Sequence, residues 1–501
     1  MSLLGIDVGT GGCKAAAYAE DGRRLALAYR EYAPVCPRHG WAELDSEAVL
    51  EKVWDAVAAV AAAAGGDPVA ALCVSSLGEA MTPVSADRRV LGGSILCSDV
   101  RGQEYVDLVR ERLGEDAFYR INPNILGPNY SLPKLLWLKD HQPDQFRGAW
   151  KFLLWGDLVG FLLGAEPMTS LSLANRTLLL DIRAEDWSER LLSLVGLERD
   201  KLPQAVPSGT VAGQVGHAMA RRLGLPQHTK IVVGGHDQCC NALGAGAFGP
   251  GRAVCGIGTF QCITPVFDRI PELADMLRAR LNVEHHVLDG RYVSFLYNQA
   301  GSLVRWFRDT FAAADQKLAG SGDIYDALVA EMPAEPSRLL VLPYFEATGS
   351  PTFVPDAAGM IIGLRTSTRR GEILRAIMES STLYFVRGLK ALADMGIDTR
   401  EMVATGGGAK SDAWLQIQAD VLGVPFVRLA DTECGVAGAA MLAGIATGAY
   451  GGPEEAACRF VHRARVFEPD AARHEHYRRQ HERYEELYPR MADLLRALGS
   501  C

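Results

Sequence analysis

The stretch that most constrains the fold lies at the middle of the chain, from Gly234 to Phe260. An apolar run, Ile231 to Val233, comes just before it and predicts a buried strand. Two glycines follow, and then a polar cluster, His236-Asp237-Gln238, stands where the strand should end. Polar side chains at the end of a buried strand commonly face a ligand cleft. The pattern therefore predicts Asp237 as a catalytic base, with Gln238 beside it to bind a neighbouring hydroxyl group. An aspartate that caps the following helix is the alternative.

The second part of this stretch predicts another strand and a phosphate-binding turn. Gly249-Pro250-Gly251 breaks the chain, and Ala253 to Ile257 then has the apolar composition of a strand. That strand ends at Gly258-Thr259, where the backbone N–H groups of a glycine turn can converge on phosphate oxygens. We predict that Gly258 and Thr259 hold a phosphate.

Length and charge favour a globular protein of two domains over a nucleic-acid-binding protein. The 501 residues suffice for two domains of about 100–250 residues each, which we place at residues 1–243 and 244–501. Apolar residues make up 48% of the chain and charged residues 22%, and the formal net charge is −9 without a basic block. This balance argues against a nucleic-acid partner, but backbone N–H groups can still bind a small anion such as ATP.

The cysteines and the apolar runs predict a cytoplasmic protein with no membrane partner. The chain has 11 cysteines, an odd number, and none has the CxxC spacing of a metal site. Adjacent Cys239 and Cys240 suit neither zinc nor an ordinary disulfide, so we expect free thiols in a reducing compartment. Gly5 and Asp7 interrupt the apolar start, which argues against a signal peptide. No apolar run approaches the roughly 20 residues of a membrane span.

The N-terminal region predicts a β-meander whose first turn is rich in glycine. Leu3 to Val8 is expected to be a strand, Gly9 to Gly12 a turn, and Cys13 to Tyr18 and Leu25 to Tyr32 two further strands. The step from an apolar strand into a Gly-Thr turn occurs again at Gly258-Thr259, half a chain length later. We expect two similar domains, each opening with such a hairpin.

Five further elements are expected around these motifs. Asp45 to Ala64 predicts a helix with Asp45 as its N-cap, and Glu372 to Leu392 predicts a long helix. Phe152 to Leu163 predicts a core helix and Val90 to Leu96 a strand. A helix from Ser411 to Leu422, capped by Ser411, is expected after a strand and a triple glycine.

The segment from Asp7 to Lys14 has the residues of a phosphate and metal site. Gly11 and Gly12 beside Thr10 let a ligand approach the backbone, whose N–H groups can bind phosphate oxygens. Asp7 at the strand end could hold Mg²⁺ through water, because Mg²⁺ keeps much of its hydration, and Lys14 could add positive charge beside a phosphate. On this motif alone, an ordinary glycine-turn hairpin is the simpler explanation.

The segment from Gly406 to Asp412 predicts a turn that a nucleotide can approach. Gly406, Gly407 and Gly408 stand between a predicted strand and a helix, which suits close contact with adenine or phosphate. The N-terminus of the helix adds a favourable dipole. A tight strand-to-helix turn without a ligand is the alternative.

The motifs follow one another in a recognisable order. A Gly-Thr hairpin at the start, Gly-Gly-His-Asp-Gln at the midpoint, a second Gly-Thr and a triple glycine near residue 406 resemble the FGGY family of carbohydrate kinases. The resemblance extends from Gly5 to about Gly448 and includes Leu132 to Leu138 and Gly359 to Leu364. It implies an α/β, two-domain, actin-like (ribonuclease H-like) ATPase fold with a cleft between the domains.

The resemblance also implies an activity and its nucleotide contacts. The activity is ATP-dependent phosphorylation of a hydroxyl group of a small sugar or polyol, first of all a ketose such as xylulose, with ATP and Mg²⁺ as cofactors; homodimers are common among relatives. Asp7 is similar to the family's Mg²⁺-associated aspartate, and Asp237 matches the catalytic base. The matched nucleotide-binding residues are those of two phosphate loops and an adenosine-binding turn: Thr10, Gly11, Gly12 and Lys14; Gly258 and Thr259; and Gly406, Gly407, Gly408 and Asp412.

The implied sugar contacts depart from the best-known relatives. They are expected from two loops and from the base with its neighbour: Gly78, Glu79, Asp99, Arg101, Asp237 and Gln238. Xylulose kinases usually have Met-His-Gly where this chain has Leu77-Gly78-Glu79, and glycerol kinases have an Arg-Glu pair of which only the Glu is matched. Asp237-Gln238 is similar to the glycerol kinase pair, and Phe260 replaces a common serine.

These departures leave alternatives open. The acceptor could be a ketose, glycerol or another polyol, or a sugar acid. Glu79 and Arg101 could simply form a surface ion pair. A non-catalytic sugar sensor on the same fold and an actin-like ATPase with a protein partner are the rival functions, and the presence of both Asp7 and Asp237 speaks against a dead enzyme.

Overall fold

The N-terminal half of the chain is built on a six-stranded mixed sheet. The computed structural model describes residues 1–320 and 323–499. Three neighbouring parallel strands, β1 (Ser2–Val8), β4 (Val69–Ser76) and β6 (Lys230–His236), form the centre of the sheet, and antiparallel strands flank them on both sides. The sheet order is β5-β6-β4-β1-β2-β3, with these bounds: β1 Ser2–Val8, β2 Gly12–Ala19, β3 Arg24–Glu31, β4 Val69–Ser76, β5 Val211–Gln214 and β6 Lys230–His236.

The C-terminal half carries a second sheet with the same central arrangement. Its parallel strands are β7, β12 and β13, with antiparallel β8 beside β7 and antiparallel β14 beside β13. The order is β9-β10-β8-β7-β12-β13-β14, and β11 also pairs with β8. The bounds are β7 Gly251–Ile257, β8 Phe260–Phe267, β9 Glu284–His285, β10 Tyr292–Val293, β11 Leu296–Gln299, β12 Thr399–Thr405, β13 Phe426–Leu429 and β14 Arg463–Phe467.

The predicted repeat of a strand–turn–strand hairpin is present in both sheets. The turn between β1 and β2 is closed by the N–H of Gly9, which donates to the carbonyl of Gly12 at 2.9 Å. The turn between β7 and β8 is closed in the same way by Gly258 and Phe260, also at 2.9 Å. Each turn lies between the first parallel strand of its sheet and the antiparallel neighbour, so the two Gly-Thr segments occupy equivalent places.

Ten helices that surround the two sheets and the site are labelled α1 to α10. Asp45 caps the first helix by accepting the N–H of Ala48, and Ser411 caps another by accepting the N–H of Trp414, so both predicted caps are present. The bounds are α1 Ser46–Ala63, α2 Ser131–His141, α3 Trp155–Leu163, α4 Leu171–Asn175, α5 Asp237–Gly244, α6 Gly301–Phe311, α7 Arg370–Asp394, α8 Asp412–Leu422, α9 Cys434–Thr447 and α10 Ala471–Gly499.

Shorter elements complete the described chain. The remaining strands form two-stranded pairs: Glu43–Leu44 with Ser94–Ile95, Met81–Val84 with Lys151–Leu154, Met168–Ser170 with Gln204–Val206, Leu180–Asp181 with Asp186–Trp187, and Leu340–Leu342 with Met360–Ile362. The remaining helices are Gln103–Leu113, Glu115–Ile121, Pro143–Gly148, Glu189–Val195, Arg199–Lys201, His217–Leu223, Leu273–Arg278, Ala313–Ala319, Tyr325–Ala330, Gly407–Lys410 and Pro453–Phe460.

Two predicted elements are wrong in detail. The apolar run Phe152 to Leu163 is not one helix, because its first residues pair as a strand with Met81–Val84 and the helix begins at Trp155. The run Val90 to Leu96 forms a strand only at Ser94–Ile95. In both places an apolar run is compatible with either structure, and the tertiary pairing partner decides. The proposed domain boundary after residue 243 coincides with the end of α5 and remains a prediction.

The two sheets meet at α5 and α9, whose backbones are in direct contact. A Cβ atom added at Gly438 of α9 would collide with the carbonyl of Cys240 in α5, and one added at Gly244 would collide with the carbonyl of Cys434. Gly5 of β1 makes the same kind of contact with the carbonyl of Val436. These glycines let one helix approach both its partner helix and the first strand at backbone distance. Among the described residues, no helix has the length and apolarity needed to cross a bilayer.

We expect Gly438→Ala to destabilise the protein although alanine is the better helix former. The added methyl group has no space against the Cys240 carbonyl, and overpacking of this kind should lower the free energy of unfolding by about 2–4 kcal/mol. Gly66→Ala is the matched control, since nothing lies within 4 Å of its added Cβ. Denaturant titrations of both variants test this, and equal stability of the two would contradict the packing described.

Candidate active site

The parallel strands of the first sheet bring the predicted catalytic and metal residues to one edge. Val8 at the end of β1 and His236 at the end of β6 are both in register with Ser76, the last residue of β4 between them. The carboxyl ends of β1, β4 and β6 therefore coincide. Asp7, the loop from Leu77 to Glu79 and Asp237 consequently share this edge, which is where ligands bind in α/β sheets.

Asp237 is the first residue of α5, and its side chain is 31% exposed. The N-cap position belongs to His236, so the alternative of a capping aspartate is wrong. Burial, and next the negative charge of Asp7, raise the pKa of Asp237 to about 7, whereas the amide groups of Gln238 and the charge of Arg176 oppose the rise. A carboxylate with this pKa is suited to accept a proton near neutral pH.

His236 lies beside the Asp237 carboxylate. Its Nε2 lies 3.2 Å from Asp237 Oδ1, and its ring packs edge-on against Phe295 with a centroid separation of 5.1 Å. Burial, followed by the charge of Arg176, holds the pKa of His236 well below its usual value. The imidazole is therefore neutral at neutral pH and does not form an ion pair with the Asp237 carboxylate. The buried Nδ1 has no hydrogen-bond partner within the described residues, and the lowered pKa makes the imidazole a weaker base than Asp237.

Asp7 lies half-buried between the first sheet and α9. Ser75 donates its hydroxyl to Asp7 Oδ1 at 2.7 Å, and a Cβ on Gly435 in the first turn of α9 would lie 3.5 Å from Asp7 Oδ2. Burial raises the pKa of Asp7. Within the described residues, no three His, Cys, Asp or Glu side chains are grouped to hold a metal ion. A single carboxylate nevertheless fits Mg²⁺, which usually takes one or two carboxylates together with phosphates and water.

The first predicted phosphate loop is open to solvent, but its lysine is already paired. Thr10 and Gly11 are exposed, and Gly12 is partly exposed at the start of β2. Lys14 Nζ lies 2.5 Å from Glu433 Oε2, just before α9. The sequence pattern did not suggest this pair, which joins residues 419 positions apart. A phosphate role for Lys14 remains a prediction.

The second phosphate loop and the triple glycine are adjacent in space. Gly258, Thr259, Gly406 and Gly407 are all exposed. Gly406 has φ of 81°, and a Cβ there would lie 2.8 Å from the carbonyl oxygen of Ile257, the residue before Gly258. Glycine is therefore required where this turn packs on the end of β7. Both loops lie at the carboxyl edge of the second sheet, because Gly256 pairs in parallel with Thr405.

A hydrogen bond connects the candidate base to these loops. Asn241, one turn after Asp237 on α5, donates to Thr405 Oγ1 at 3.2 Å, and Thr405 immediately precedes Gly406. Four residues of helix span about 6 Å, so the base and the triple-glycine turn are neighbours. Asp412, predicted to contact adenosine, is held by Arg428 at 2.5 Å and by Arg465. Its nucleotide role stays a prediction.

The Asp99–Arg101 loop forms a buried, fully paired cluster. Arg101 Nη2 donates to Asp99 Oδ2 at 2.6 Å, Nη1 lies 2.5 Å from Glu43 Oε1, and the guanidinium stacks 4.1 Å from the centre of the Trp41 ring. Burial disfavours the ionised form of Asp99, but hydrogen bonds from Arg101 and backbone amides outweigh it and hold the pKa below its usual value. Lys134 donates to the carbonyl of Asp99 at 2.5 Å, and burial lowers its pKa to about 8.

Glu79 pairs with Arg176 rather than with Arg101, and the pair is buried rather than on the surface. Arg176 Nη2 contacts Glu79 Oε1, and Nη1 donates to Glu284 Oε1 at 2.8 Å. The alternative of a Glu79–Arg101 surface pair is therefore wrong. Burial raises the pKa of Glu284, and the charge of Arg176 opposes that rise. Neither Arg176 nor Glu284 was predicted, because no local pattern marks two residues that meet 108 positions apart. Gly78 lies buried and Gln238 half-buried beside this cluster.

The architecture and the site together define a class. Two sheets of like topology, with an open carboxylate at the edge of one and exposed glycine turns at the edge of the other, are the actin-like ATPase fold arranged for phosphoryl transfer. The family models for the N-terminal and C-terminal domains of the FGGY family of carbohydrate kinases match residues 2–244 and 280–447. The chain belongs to the FGGY family of carbohydrate kinases, and it is a phosphotransferase of that kind.

Individual relatives extend over nearly the whole chain. Xylulose kinase from Bacillus subtilis (strain 168) is 29% identical over 504 residues, covering 99% of both proteins. Glycerol kinase from Leptothrix cholodnii is 31% identical over 474 residues, covering 90% of this chain and 92% of that protein. The crystal structure of xylulose kinase from Rhodospirillum rubrum matches with a TM-score of 0.89 at 26% identity, covering 99% of this chain and 100% of that one. The predicted family, fold and enzyme class are confirmed, as is carbohydrate kinase activity at the level of the family.

The raised pKa of Asp237 predicts a pH-dependent stability difference for Asp237→Asn. The folded protein binds this proton up to about pH 7 and the unfolded chain only to about pH 3.8, so the wild type loses stability as pH rises between these values. The variant has no such loss. Its free energy of unfolding relative to the wild type should therefore increase by roughly 2–4 kcal/mol between pH 4 and pH 8.

Urea titrations across this pH range test the expectation. Asp144→Asn is the control for loss of a surface carboxylate, because its side chain is 97% exposed. A constant difference for Asp237→Asn would mean that burial does not act on this carboxyl group.

Proposed function

We propose that this protein transfers the γ-phosphoryl group of ATP to a hydroxyl group of a small sugar or polyol, with a ketose such as xylulose as the first candidate. The observation that carries the proposal is Asp237, a partly open carboxylate whose pKa of about 7 suits a base and which shares an edge with Asp7. The relatives named xylulose kinase and glycerol kinase support the acceptor class.

In the proposed mechanism, Asp237 accepts the proton of the attacking hydroxyl group late in the transfer. The neutral imidazole of His236 lies beside this carboxylate, 3.2 Å from its Oδ1. The exposed turns at Thr10 and at Gly258 and Thr259 offer backbone N–H groups to the phosphates, and the Gly406–Gly408 turn offers a surface for the adenosine. Most of the acceleration would come from positioning and electrostatic stabilisation, because phosphoryl transfer needs little covalent chemistry from the protein.

Asp7 is proposed to hold Mg²⁺ through water. Its Oδ1 is fixed by Ser75, and the carboxylate lies within electrostatic reach of Asp237. When bound there, Mg²⁺ would supply positive charge that offsets the charge of the phosphates. The positive charge of Mg²⁺ near Asp7 and Asp237 would also lower the pKa of both carboxyl groups, which favours the ionised form of the base.

Glycerol or another polyol is the second candidate acceptor. Asp237-Gln238 is similar to the glycerol kinase pair, and a glycerol kinase is among the relatives at 31% identity. The family match favours transfer to an acceptor over the two rivals that the sequence left open, a sugar sensor without activity and an ATPase that needs no acceptor. A cytoplasmic location also belongs to the proposal, supported by ten free cysteines among the described residues, and so does a homodimer, which rests only on family resemblance.

We expect ADP release that depends on an acceptor. A coupled ADP-release screen over ketoses, polyols and sugar acids should give turnover with at least one of them. Asp237→Asn should lower kcat by about 10²–10⁴-fold, the usual contribution of a general base, while ATP still binds with a similar Kd by calorimetry.

Asp144→Asn serves as the control for expression and folding, because its side chain lies at the surface. Retention of more than a few per cent of turnover in Asp237→Asn would remove this residue from the role of base. ADP release at full rate without any acceptor would favour the ATPase.

The pH profile should report the same carboxyl group. With a pKa of about 7 for Asp237, the base is protonated and inactive at low pH. We expect kcat/KM for the acceptor to rise about tenfold per pH unit below the pKa of this base and to level off above it, with the midpoint at or below pH 7 because bound Mg²⁺ favours the ionised form. Kinetics between pH 5 and pH 9 measure this, and a profile that is flat from pH 5 upward would contradict it.

A further inference from the structure

One face of the second sheet is turned toward the site of the first half. Strand β11 pairs with β8 so that Tyr297 lies opposite Cys262. Directly opposite residues point to the same face of a sheet, and side chains alternate between the faces along each strand. Phe260, two residues before Cys262, therefore shares a face with Tyr297. Ile263 and its partner Leu296 lie on the other face and belong to the core of the second half.

Phe295 shows where this face points. It directly precedes β11, and the strand pairs before and after it keep the same register, so its side chain lies on the same face as that of Tyr297. Its ring packs edge-on against the imidazole of His236 at a centroid distance of 5.1 Å, and its centre lies 5.7 Å from the guanidinium carbon of Arg176. Both partners belong to the first half. This face of the second sheet therefore borders the candidate base, which directly follows His236.

Tyr297 lies between the second phosphate loop and the surroundings of the base. Phe260 directly follows Thr259 of that loop, and its ring lies edge-on to the ring of Tyr297 with a centroid distance of 6.5 Å. The face thus carries Phe260, Tyr297 and Phe295 in this order, and His236 comes next. A hydroxyl group that attacks the γ-phosphate has to reach both the phosphate and the base. Tyr297 therefore borders the space that the acceptor has to occupy.

The hydroxyl group of Tyr297 is free to bind a ligand. The residue is partly exposed, its hydroxyl group makes no hydrogen bond to any residue that the structure describes, and the oxygen is not enclosed by the protein. Burial raises the pKa of Tyr297 to about 12, and the charge of Arg176 opposes this rise. The hydroxyl group is therefore protonated at neutral pH and can donate as well as accept a hydrogen bond.

The two rings on this face differ in how they are held. A Cβ atom added at Gly349 would lie 2.4 Å from the ring of Tyr297, and Phe353 packs edge-on against the same ring at 6.3 Å. These contacts fix the ring, so little freedom is lost when its hydroxyl group binds a ligand. Phe260 is instead 47% exposed, and it presents an apolar ring beside the phosphate loop. An open aromatic ring can cover the C–H groups of a ligand.

From this arrangement, and resting on the proposed function, we infer that Tyr297, together with Phe260, is an acceptor-binding residue contributed by the second half of the chain. The Tyr297 hydroxyl group hydrogen-bonds a hydroxyl group of the acceptor, and the Phe260 ring packs against its C–H groups. The acceptor is held from both sides, by Asp237 of the first half and by these two rings of the second. Phe260, which replaces a common serine, supplies an apolar contact that a serine does not.

Tyr297→Phe tests the hydrogen bond, because it removes the hydroxyl group and keeps the ring. We expect KM for the acceptor to rise about threefold to tenfold, the usual effect of one hydrogen bond, while the Kd of ATP stays the same. Tyr292→Phe is the matched control, because Tyr292 is a partly exposed tyrosine of the same sheet that lies opposite Phe267, at the other end of β8. An unchanged acceptor KM in Tyr297→Phe would overturn the inference.

Two substitutions of Phe260 test the apolar contact. Phe260→Ala removes the ring and should raise the acceptor KM by about tenfold. Phe260→Tyr keeps the ring and should remain within about twofold of the wild type. The Kd of ATP and the melting temperature, measured for each variant, separate this contact from a structural effect on the neighbouring phosphate turn. A loss confined to ATP affinity, or an equal rise in acceptor KM for both variants, would contradict the assigned role of the ring.

Direct binding distinguishes failure of this inference from failure of the proposed function. Calorimetry with xylulose and with glycerol, in the presence of a non-hydrolysable ATP analogue, measures acceptor affinity without turnover. If the more tightly bound compound loses affinity in Tyr297→Phe but the wild type releases no ADP with it, then the kinase proposal fails and the inference stands. If Tyr297→Phe binds it as well as the wild type, or if neither compound binds to the wild type, then the inference is wrong, and ADP release with another acceptor would still support the proposed function.

Discussion

The backbone contact between α5 and α9 sets the geometry of the whole molecule. Each helix follows the third parallel strand of its own sheet, and glycines at the crossing remove the side chains that would separate them. Gly244 and Gly438 allow helix to touch helix, and Gly5 allows α9 to touch the first strand. A close-packed contact of this kind has little freedom to shift. The two halves of the site are therefore positioned by a rigid core, with loops added at its edge.

The electrostatics of the site depend on the same backbone contacts of α9. Bringing α9 onto β1 places Asp7 against the first turn of α9, and the shared strand edge places Asp7 within electrostatic reach of Asp237. Burial raises the pKa of both carboxyl groups; the charge of Asp7 adds to the rise for Asp237, and the charge of Glu433 adds to it for Asp7. The amide groups of Gln238 at the start of α5 and the charge of Arg176 oppose this rise and keep the pKa of Asp237 near 7. The pKa that suits Asp237 to act as a base therefore follows from its position directly after β6.

The sequence predicted local features well and long-range pairings poorly. Caps at Asp45 and Ser411 and the N-terminal meander depend on residues within one or two turns of each other, and all three are present. The partners of Glu79 and Lys14 lie 97 and 419 positions away, and no periodicity carries that information. The prediction of one helix from Phe152 to Leu163 was wrong for a related reason. A continuous apolar run fits a strand or a helix equally, and pairing with Met81–Val84 decides.

The two halves share a topology but divide the chemistry between them. In each sheet an aspartate follows the third parallel strand: Asp237 comes directly after β6, and Asp431 comes two residues after β13. Asp431 is neutralised by Arg24 at 2.5 Å, whereas Asp237 lies beside a neutral histidine and keeps a raised pKa. At the ends of the other parallel strands the first half presents Asp7 and Glu79, and the second half presents Gly258 and Gly406. Carboxylates suit a hydroxylated acceptor and glycine backbone suits phosphates. The repeated architecture therefore provides a common edge, and the two halves differ in the side chains that they present there.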